Sequence, residues 1–306
     1  MRLLVFLIVF LLSSFSAASE SRDVITLRSG RPLEQQMNRS GVVYRISRNI
    51  DLKGGKLVVP EDCVLNFDGG TVTDGTIVGN NTEILGPARV IFDDLNFSGT
   101  FRNGIVRSEW FRFKQGKSDN RKVFDAIMAL AASQCHTDVY IQEGTYYTSV
   151  GAHGHGIRIP DNTSVHNSAD IHALPSSLEK YDIISICDVE NVLFEGGRIY
   201  GDVGTHIGET GEWGYGIGMT GARNCTVKNV YISRCWGDGI NVQALYDDYL
   251  NRSTVGHCYD IIIENVVCDD NRRQGMSIEG CIGISVRNSK FLNTGKTQST
   301  LPSVRE

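Results

Sequence analysis

The sequence predicts an all-β protein folded as a right-handed parallel β-helix, with an N-terminal β segment and one short capping helix. Two observations predict this fold class. A 23-residue repeat runs through the second half of the chain, and each repeat holds short alternating apolar runs separated by Gly, Asn and Asp. Alternation of period two indicates half-buried strands, and a unit of this length with two or three strands fits one coil of a β-solenoid.

The repeat is clearest in WGYGIGM, which begins at Trp213, and WGDGINV, which begins at Trp236, 23 residues later. RRQGMSI begins at Arg272, 36 residues further on, which is one repeat plus 13 residues. Upstream, DIISI from Asp182 matches YGIGM from Tyr215 at an offset of 33 residues. The spacing therefore predicts four coils, with insertions at 201–214 and 245–257.

Equivalent positions of neighbouring repeats should stack at the strand spacing of about 4.8 Å. One predicted stack is polar and consists of Asn, whose side chains would hydrogen-bond along the axis. Another is an apolar interior row. Cys258 and Cys281 also align, either as interior thiols or as a disulfide. The Asn row is Asn229, Asn265 and Asn288, and the apolar row is Ile199, Ile232, Cys268 and Phe291.

The N-terminus begins with an apolar run at 3–12, followed by small residues up to Ala18. This pattern is typical of a secretory signal peptide, and the run is shorter than the about 20 residues that cross a bilayer. We therefore expect residues 1–19 to be a signal peptide. The protein is expected to be exported and to be secreted, periplasmic or at the cell surface, without a membrane span.

Two regions are expected after the signal peptide. Residues 20–107 form a Gly-rich β segment, either early irregular coils or a small independent sandwich, and 108–306 form the β-helix domain. Apolar spacing predicts a helix at 123–132 that covers the first coil, as solenoid ends require. No recognisable cap follows the fourth coil, so we expect either a truncated C-terminus or an open coil edge that pairs with another chain.

Several segments resemble the pectate-lyase superfamily, which includes pectin-lyase-like proteins and phage tailspike-like depolymerases. They are WF at 110–111, the loop with Asp119 and Asn120, FDAIMALAA at 124–132, VYIQEGTYY at 139–147 and the coils at 182–295. The resemblance covers about 108–295 and implies a right-handed parallel β-helix that acts on or binds a polysaccharide. Because that superfamily contains lyases, hydrolases, epimerases and binding proteins, the resemblance does not choose a reaction.

Candidate site residues concentrate at the turn before the WGDGI-type strand, on the edge of three successive coils. Carboxylates and a His there exceed what the repeat needs, and two Trp and two Arg suit contact with sugar rings and carboxylates. The expected catalytic residues are Asp202, His206, Glu212 and Asp238. The expected substrate-binding residues are Trp213, Trp236, Arg272, Arg273, Asp270 and Tyr246.

A glycoside hydrolase is the first hypothesis, since hydrolysis uses two carboxyl groups that Asp202, Glu212 and Asp238 can supply. The segment 237–240 resembles the polygalacturonase-type Gly-Asp-Asp motif, with one carboxylate in place of two. A polysaccharide lyase is the second hypothesis, with His206 or an Arg as base and Arg272 or Arg273 neutralising a uronate. The third is a non-catalytic glycan-binding or surface-assembly module.

The composition argues against several partners and cofactors. A net charge of −5 with no basic stripe argues against nucleic acid. We expect no cofactor, except that Ca²⁺ would serve a lyase as a neutralising cation. HGHGI at 153–157 is a weak metal-binding pattern, and no metal site is predicted from it.

Overall fold

The computed structural model describes residues 22–133, 135–248 and 253–295, of which 247–248 and 253–255 are described by their backbone alone. In these ranges no helix is long and apolar enough to cross a membrane. The helices are α1 (Leu33–Gln36), a 3-10 turn (Ser108–Trp110) and α2 (Arg121–Ala131). The rest is strand and turn, as the predicted all-β class requires.

The N-terminal segment consists of coils whose strands pair in parallel, not of an antiparallel sandwich. The main hydrophobic core extends from Leu27 in this segment to Cys268 in the last but one coil. The domain boundary at residue 107 stays a prediction. The strands are β1 (Val24–Thr26), β2 (Val43–Ile46), β3 (Ile50–Asp51), β4 (Lys56–Val58), β5 (Val64–Phe67), β6 (Val72–Leu85), β7 (Phe92–Phe101) and β8 (Ile105–Arg107).

Three parallel sheets follow, numbered here in the order in which each coil visits them. Sheet 1 contains β11 (His155–Arg158), β14 (Lys180–Cys187), β17 (Trp213–Thr220), β20 (Ile240–Gln243) and β25 (Met276–Glu279). Sheet 2 contains β8, β9 (Thr137–Ile141), β12 (Thr163–Asn167), β15 (Leu193–Glu195), β18 (Arg223–Lys228), β23 (Cys258–Glu264) and β26 (Cys281–Arg287). Sheet 3 contains β10 (Thr145–Thr148), β13 (Asp170–Ala173), β16 (Arg198–Tyr200), β19 (Tyr231–Ser233), β24 (Val267–Asp269) and β27 (Lys290–Leu292).

Among the described residues, five complete coils with a strand in each of these three sheets lie between 155 and 292, one more than the repeat predicts. The additional coil begins at His155, which pairs with Asp182 of the next coil. Its sequence carries the same Gly-flanked pattern as later coils, because Gly-His-Gly-Ile at 154–157 matches Gly-Tyr-Gly-Ile at 214–217, so the repeat could have revealed it. Both predicted insertions lie between strands: 201–212 joins sheet 3 to sheet 1, and the second forms the antiparallel hairpin β21 (Leu245–Asp248) and β22 (Ser253–Gly256).

The predicted stacking is confirmed for the apolar row, whose four members pair from strand to strand, but the interior position is wrong for Phe291, which is 39% exposed on the last coil. In the Asn row, Asn265 Nδ2 donates to Asn229 Oδ1 at 2.7 Å. All three Asn have φ between 49° and 59°, a left-handed conformation that Asn tolerates better than most residues. Cys258 and Cys281 are paired across strands, and both thiols are free.

Helix α2 begins two residues earlier than predicted and buries one face, including Phe124, Ile127 and Leu130. It contacts β7 on one side and β11 on the other. The helix therefore packs between the N-terminal coils and the coil that begins at His155. It covers the junction between them.

A charge-sensitive contact on the outer face of sheet 2 centres on His166, whose ring nitrogens lie 2.9 Å from Asp138 and 2.6 Å from Glu195. Partial burial lowers the pKa of His166, but the two carboxylates outweigh this effect and the pKa is raised overall. Because the folded pKa exceeds the unfolded one, the protonated ring stabilises the fold below the ordinary His pKa. That contribution is lost as pH rises through the raised value.

We expect His166→Gln to lower the free energy of unfolding at about pH 5 and to change it little at about pH 9. Urea denaturation at both pH values measures this difference. His172→Gln is the matched control, since burial lowers the pKa of His172 and its ring has no such pair of carboxylates. An equal loss for His166→Gln at both pH values would contradict the assignment.

Candidate functional site

The outer face of sheet 1 carries a groove of about 340 Å³ that is built from four successive coils. The insertion at 201–212 leads into this sheet at β17, and the hairpin that starts at Leu245 leaves it after β20. The two insertions thus border the same face. The lining, called the sheet-1 groove below, includes His153, His155, Lys180, Asp182, Cys187, Tyr215, Gly218, Thr220, Gln243, Leu245 and Tyr246.

Its central row follows the strand register. His155 pairs with Asp182, and Asp182 pairs with Tyr215. Asp238 continues this row on the next coil, because it stands two residues before Ile240 just as Tyr215 stands two residues before its partner Ile217. These four side chains differ in type but therefore lie in one outward row along the axis of the β-helix.

Asp182 and His155 form a carboxylate–imidazole pair at the floor of the groove. Asp182 Oδ1 lies 3.3 Å from His155 Nδ1, and only 9% of the Asp182 side chain is exposed against 37% of the His155 ring. Because a carboxylate only accepts hydrogen bonds, this contact places the proton on Nδ1 and leaves the lone pair on Nε2. Such a ring is equipped to act as a general base.

Ser185 does not complete a nucleophilic triad with this pair. Its Oγ lies 3.2 Å from the same Nδ1 atom that faces Asp182. A Ser-His-Asp triad needs the Ser and the Asp on opposite ring nitrogens. The arrangement supports acid–base chemistry and not covalent catalysis by Ser185.

Space beside the carboxylate depends on Gly218, one coil above Ser185. A Cβ atom at Gly218 would lie 2.4 Å from Asp182 Oδ2. Any side chain there would press on the carboxylate directly. Around this space stand Lys180, Tyr215, Tyr246 and Gln243, and Gln243 Nε2 donates to Thr220 Oγ1 at 3.1 Å.

Two predicted catalytic residues, Asp202 and His206, are buried and do not face solvent. Their side chains are 0% and 1% exposed, and His206 Nδ1 lies 2.9 Å from Asp202 Oδ2. Asp202 also accepts hydrogen bonds from the Tyr181 hydroxyl and from the Ser176 backbone N–H. Burial and the Asp202 carboxylate raise the pKa of Tyr181. The expectation that both residues line an open edge is wrong, because the insertion folds over them.

Trp236 is buried too, which corrects its predicted role as a sugar platform. Its ring is 1% exposed and stacks on His206 at 3.9 Å between ring centroids. The Arg272 guanidinium covers it at 3.8 Å, and the indole N–H donates to the Gly211 carbonyl oxygen. Neither ring face of Trp236 is open to a ligand, and Arg272 is engaged in holding the insertion.

Asp238 is fully buried in its outward row. It accepts hydrogen bonds from Ser277 Oγ at 2.7 Å and from the Gln274 N–H at 3.0 Å. Arg273 Nε lies 3.8 Å from Asp238 Oδ1 and 3.6 Å from Glu212 Oε2, so these three predicted residues are together. Burial raises the pKa of Asp238, although Ser277 and Arg273 oppose the rise.

The other predicted residues lie apart from one another. Trp213 is 38% exposed at the start of β17 and pairs with Lys180 of the groove. Asp270 lies 3.1 Å from Arg234 in a left-handed turn on the outer surface. Tyr246 lines the sheet-1 groove.

The residues that the sequence reasoning missed are His155, Asp182, Tyr215 and Gln243. A signal was available, since the DIISI and YGIGM alignment already places Asp182 and Tyr215 at one position. In the part of the chain that the structure describes, no cluster of three or more His, Cys, Asp or Glu is arranged to hold a metal.

Comparisons with known proteins found relatives over part of the chain. The chain is 27% identical over 209 residues to the uncharacterized protein YclG of Bacillus subtilis, which covers 62% of this chain and 35% of YclG. It is 30% identical over 155 residues to the SPbeta prophage-derived uncharacterized protein YorA of the same bacterium, covering 46% of this chain and 26% of YorA. The chain therefore spans about a third or less of the length of these relatives.

A crystal structure from Parabacteroides merdae, named provisionally as a glycosyl hydrolase, matches at a TM-score of 0.47 with 15% identity. That match covers 65% of this chain and 95% of the other. The model of the right-handed β-helix region matches residues 134–300. This match covers more than half of the chain, which therefore belongs to the right-handed β-helix family.

Proposed function

We propose that this protein is a polysaccharide-active enzyme that holds its substrate in the sheet-1 groove, with His155 and Asp182 as the catalytic pair. The observation that carries the proposal is their hydrogen-bonded contact at the floor of a groove lined by hydroxyl, amide and ammonium groups. Such groups match the hydroxyls of sugars. His155 is the base, and Asp182 keeps its ring in the productive tautomer.

Cleavage by β-elimination is the reaction that this lining supports best. The base removes the proton beside a uronate carboxyl group, the bond to the glycosidic oxygen breaks, and a double bond forms. His155 is the base, and Lys180 is the cation that pairs with the uronate carboxylate. The hydroxyl of Tyr215 or Tyr246 donates a proton to the leaving oxygen. Asp182 is the single carboxylate among the lining side chains that the structure describes, whereas a glycosidase uses two.

Hydrolysis is a second candidate, favoured by the position of Asp238. Asp182 and Asp238 occupy one row two coils apart, so about 10 Å separates their Cα atoms. Inverting glycosidases hold their carboxyl groups about 6.5–9.5 Å apart. Burial raises the pKa of Asp238, as a general acid requires, but the carboxyl group would first have to become accessible.

Export remains part of the proposal. Residues 1–19, which carry the signal-peptide pattern, lie outside the described residues. A signal peptide would carry such an enzyme to polysaccharides outside the cytoplasm, so the pattern at 1–19 and the groove support one interpretation. If no product forms from any polysaccharide, the alternative is that the protein is a glycan-binding module without catalytic activity.

The test is incubation of the purified protein with a panel of uronate-containing and neutral polysaccharides. We expect product chains that absorb ultraviolet light through a new double bond, since β-elimination creates one. New reducing ends without that absorbance would replace the lyase with a hydrolase. Absence of both products across the panel would overturn the enzymatic proposal.

A further inference from the structure

A second groove, of about 600 Å³, lies where sheet 2 turns into sheet 3. It is called the sheet-3 groove here. No residue that lines it also lines the sheet-1 groove. Anything bound there would leave the proposed catalytic pair untouched.

This groove runs along the axis of the β-helix. Its floor is one register row in which five successive coils each contribute one residue. At about 4.8 Å per coil, the row extends about 19 Å. A linear polymer lying along it would meet an equivalent position at each step, and this step is close to the length of one sugar unit in an extended chain. The row is Thr145, Asp170, Arg198, Tyr231 and Val267.

The polar groups of the groove suit a neutral, hydroxyl-rich chain. Asp170 and Arg198 lie 3.6 Å apart, and both remain partly exposed. Asn229 and Asn265, joined by their side-chain amides, line the same groove with Glu143. Two carboxylates and one guanidinium give no excess of positive charge, which disfavours a polyanion. Carboxylate, amide and guanidinium groups hydrogen-bond to sugar hydroxyls.

The aromatic side chain of the groove is Tyr231, which lies beside a stack of rings on sheet 3. Tyr147, His172 and Tyr200 stack nearly face to face, at 4.9 and 4.4 Å between centroids. This stack ends at Tyr200, because the register partner of Tyr200 on the next coil is Ser233. Tyr231 belongs to the neighbouring row, with its ring tilted 56° from Tyr200 at 6.1 Å, and its partly exposed ring lines the groove, where a sugar ring can pack on it.

A peptide is a poorer match for the same surface. Peptides that add to a sheet need an edge with unpaired backbone groups. Four of the five strands of this row, β13, β16, β19 and β24, pair on both sides with neighbouring coils, and only β10 stands at the edge of the sheet. Their lateral faces offer side chains, not a backbone edge.

We infer that the sheet-3 groove is a second, non-catalytic binding site for an extended neutral polysaccharide chain. It holds the polymer along the helix axis while the sheet-1 groove acts elsewhere on the coil. The inference does not depend on the catalytic proposal. Tyr231 is the platform, and Asp170 and Arg198 are the hydrogen-bonding groups.

The test is affinity electrophoresis of the full chain in gels that contain dextran, glucomannan, galactan or arabinoxylan, with polygalacturonate as the anionic member. We expect retardation by at least one neutral polymer, with affinity reduced about tenfold in Tyr231→Ala and in Arg198→Ala. Tyr140→Ala is the matched control, since Tyr140 is an exposed Tyr on the outer face of sheet 2. Circular dichroism establishes that each variant is folded, and Arg198→Ala carries the test if Tyr231→Ala is not.

Three results would overturn the inference: no retardation by any neutral polymer, equal affinities for wild type and both groove variants, or tightest binding of polygalacturonate. The catalytic proposal is judged separately. Asp182→Asn should keep neutral-polymer binding. If binding depends on Tyr231 but no product forms, the catalytic proposal alone is overturned. If product forms but Tyr231→Ala leaves binding unchanged, this inference alone is overturned.

Discussion

Asp182→Asn is expected to lower kcat by about a hundredfold or more on whichever polysaccharide the wild type cleaves. An amide in place of the carboxylate can donate to His155 Nδ1, which would favour the tautomer with the proton on Nε2 and leave the base without its lone pair there. Initial rates of product formation, with KM determined separately, measure the effect. A loss in kcat with little change in KM is the signature of a residue that acts on the base.

Asp188→Asn is the control for this variant. Asp188 is an exposed carboxylate just beyond β14, lies 3.6 Å from Arg223 and has a positive φ that Asn tolerates. It does not line the groove. Comparable rates for wild type and Asp182→Asn would remove His155 and Asp182 from the mechanism.

Trp236→Ala is expected to lower the free energy of unfolding by about 3–5 kcal/mol, the usual loss for a buried Trp. The indole is 1% exposed, and its removal leaves His206 and Arg272 without the ring that both contact. The apolar cluster of Tyr181, Val203 and Trp236, which holds the insertion to the coils, would lose its largest member. Urea denaturation followed by circular dichroism measures the change.

Trp213→Ala is the matched comparison, one repeat earlier in the sequence. Trp213 is 38% exposed, so its removal should change stability by no more than about 0.5 kcal/mol. Similar losses for the two variants would show that the two Trp do not differ in burial as the structure indicates.

Much of the fold follows from the repeat. The 23-residue spacing predicts that Trp236 is the equivalent of Trp213. The strand register agrees, since it pairs residues that follow them, such as Ile217 and Ile240. The repeat also locates both insertions, because extra residues between coils have to leave the sheets. It does not show whether an insertion is open or folded back. Trp213 and Trp236 are therefore equivalent in sequence and opposite in exposure.

The candidate site was less predictable than the fold. Polar residues in an insertion, such as Asp202 and His206, stand out because the repeat does not need them, yet here they close the insertion. His155, Asp182 and Tyr215 share one outward position but differ in residue type. The Gly-x-Gly-Ile letters around His155 and Tyr215 mark this position, the alignment of DIISI with YGIGM adds Asp182, and the strand register confirms that the three form one row.

The cysteines have a consequence for redox chemistry. Five of the eight thiols are buried, and all eight are free. Burial raises the pKa of Cys225 and Cys258 to about 11 and that of Cys268 to about 12. Thiol–disulfide exchange needs the thiolate, which is scarce at neutral pH in such surroundings. Once the chain has folded, these buried thiols should therefore react only slowly in an oxidising compartment.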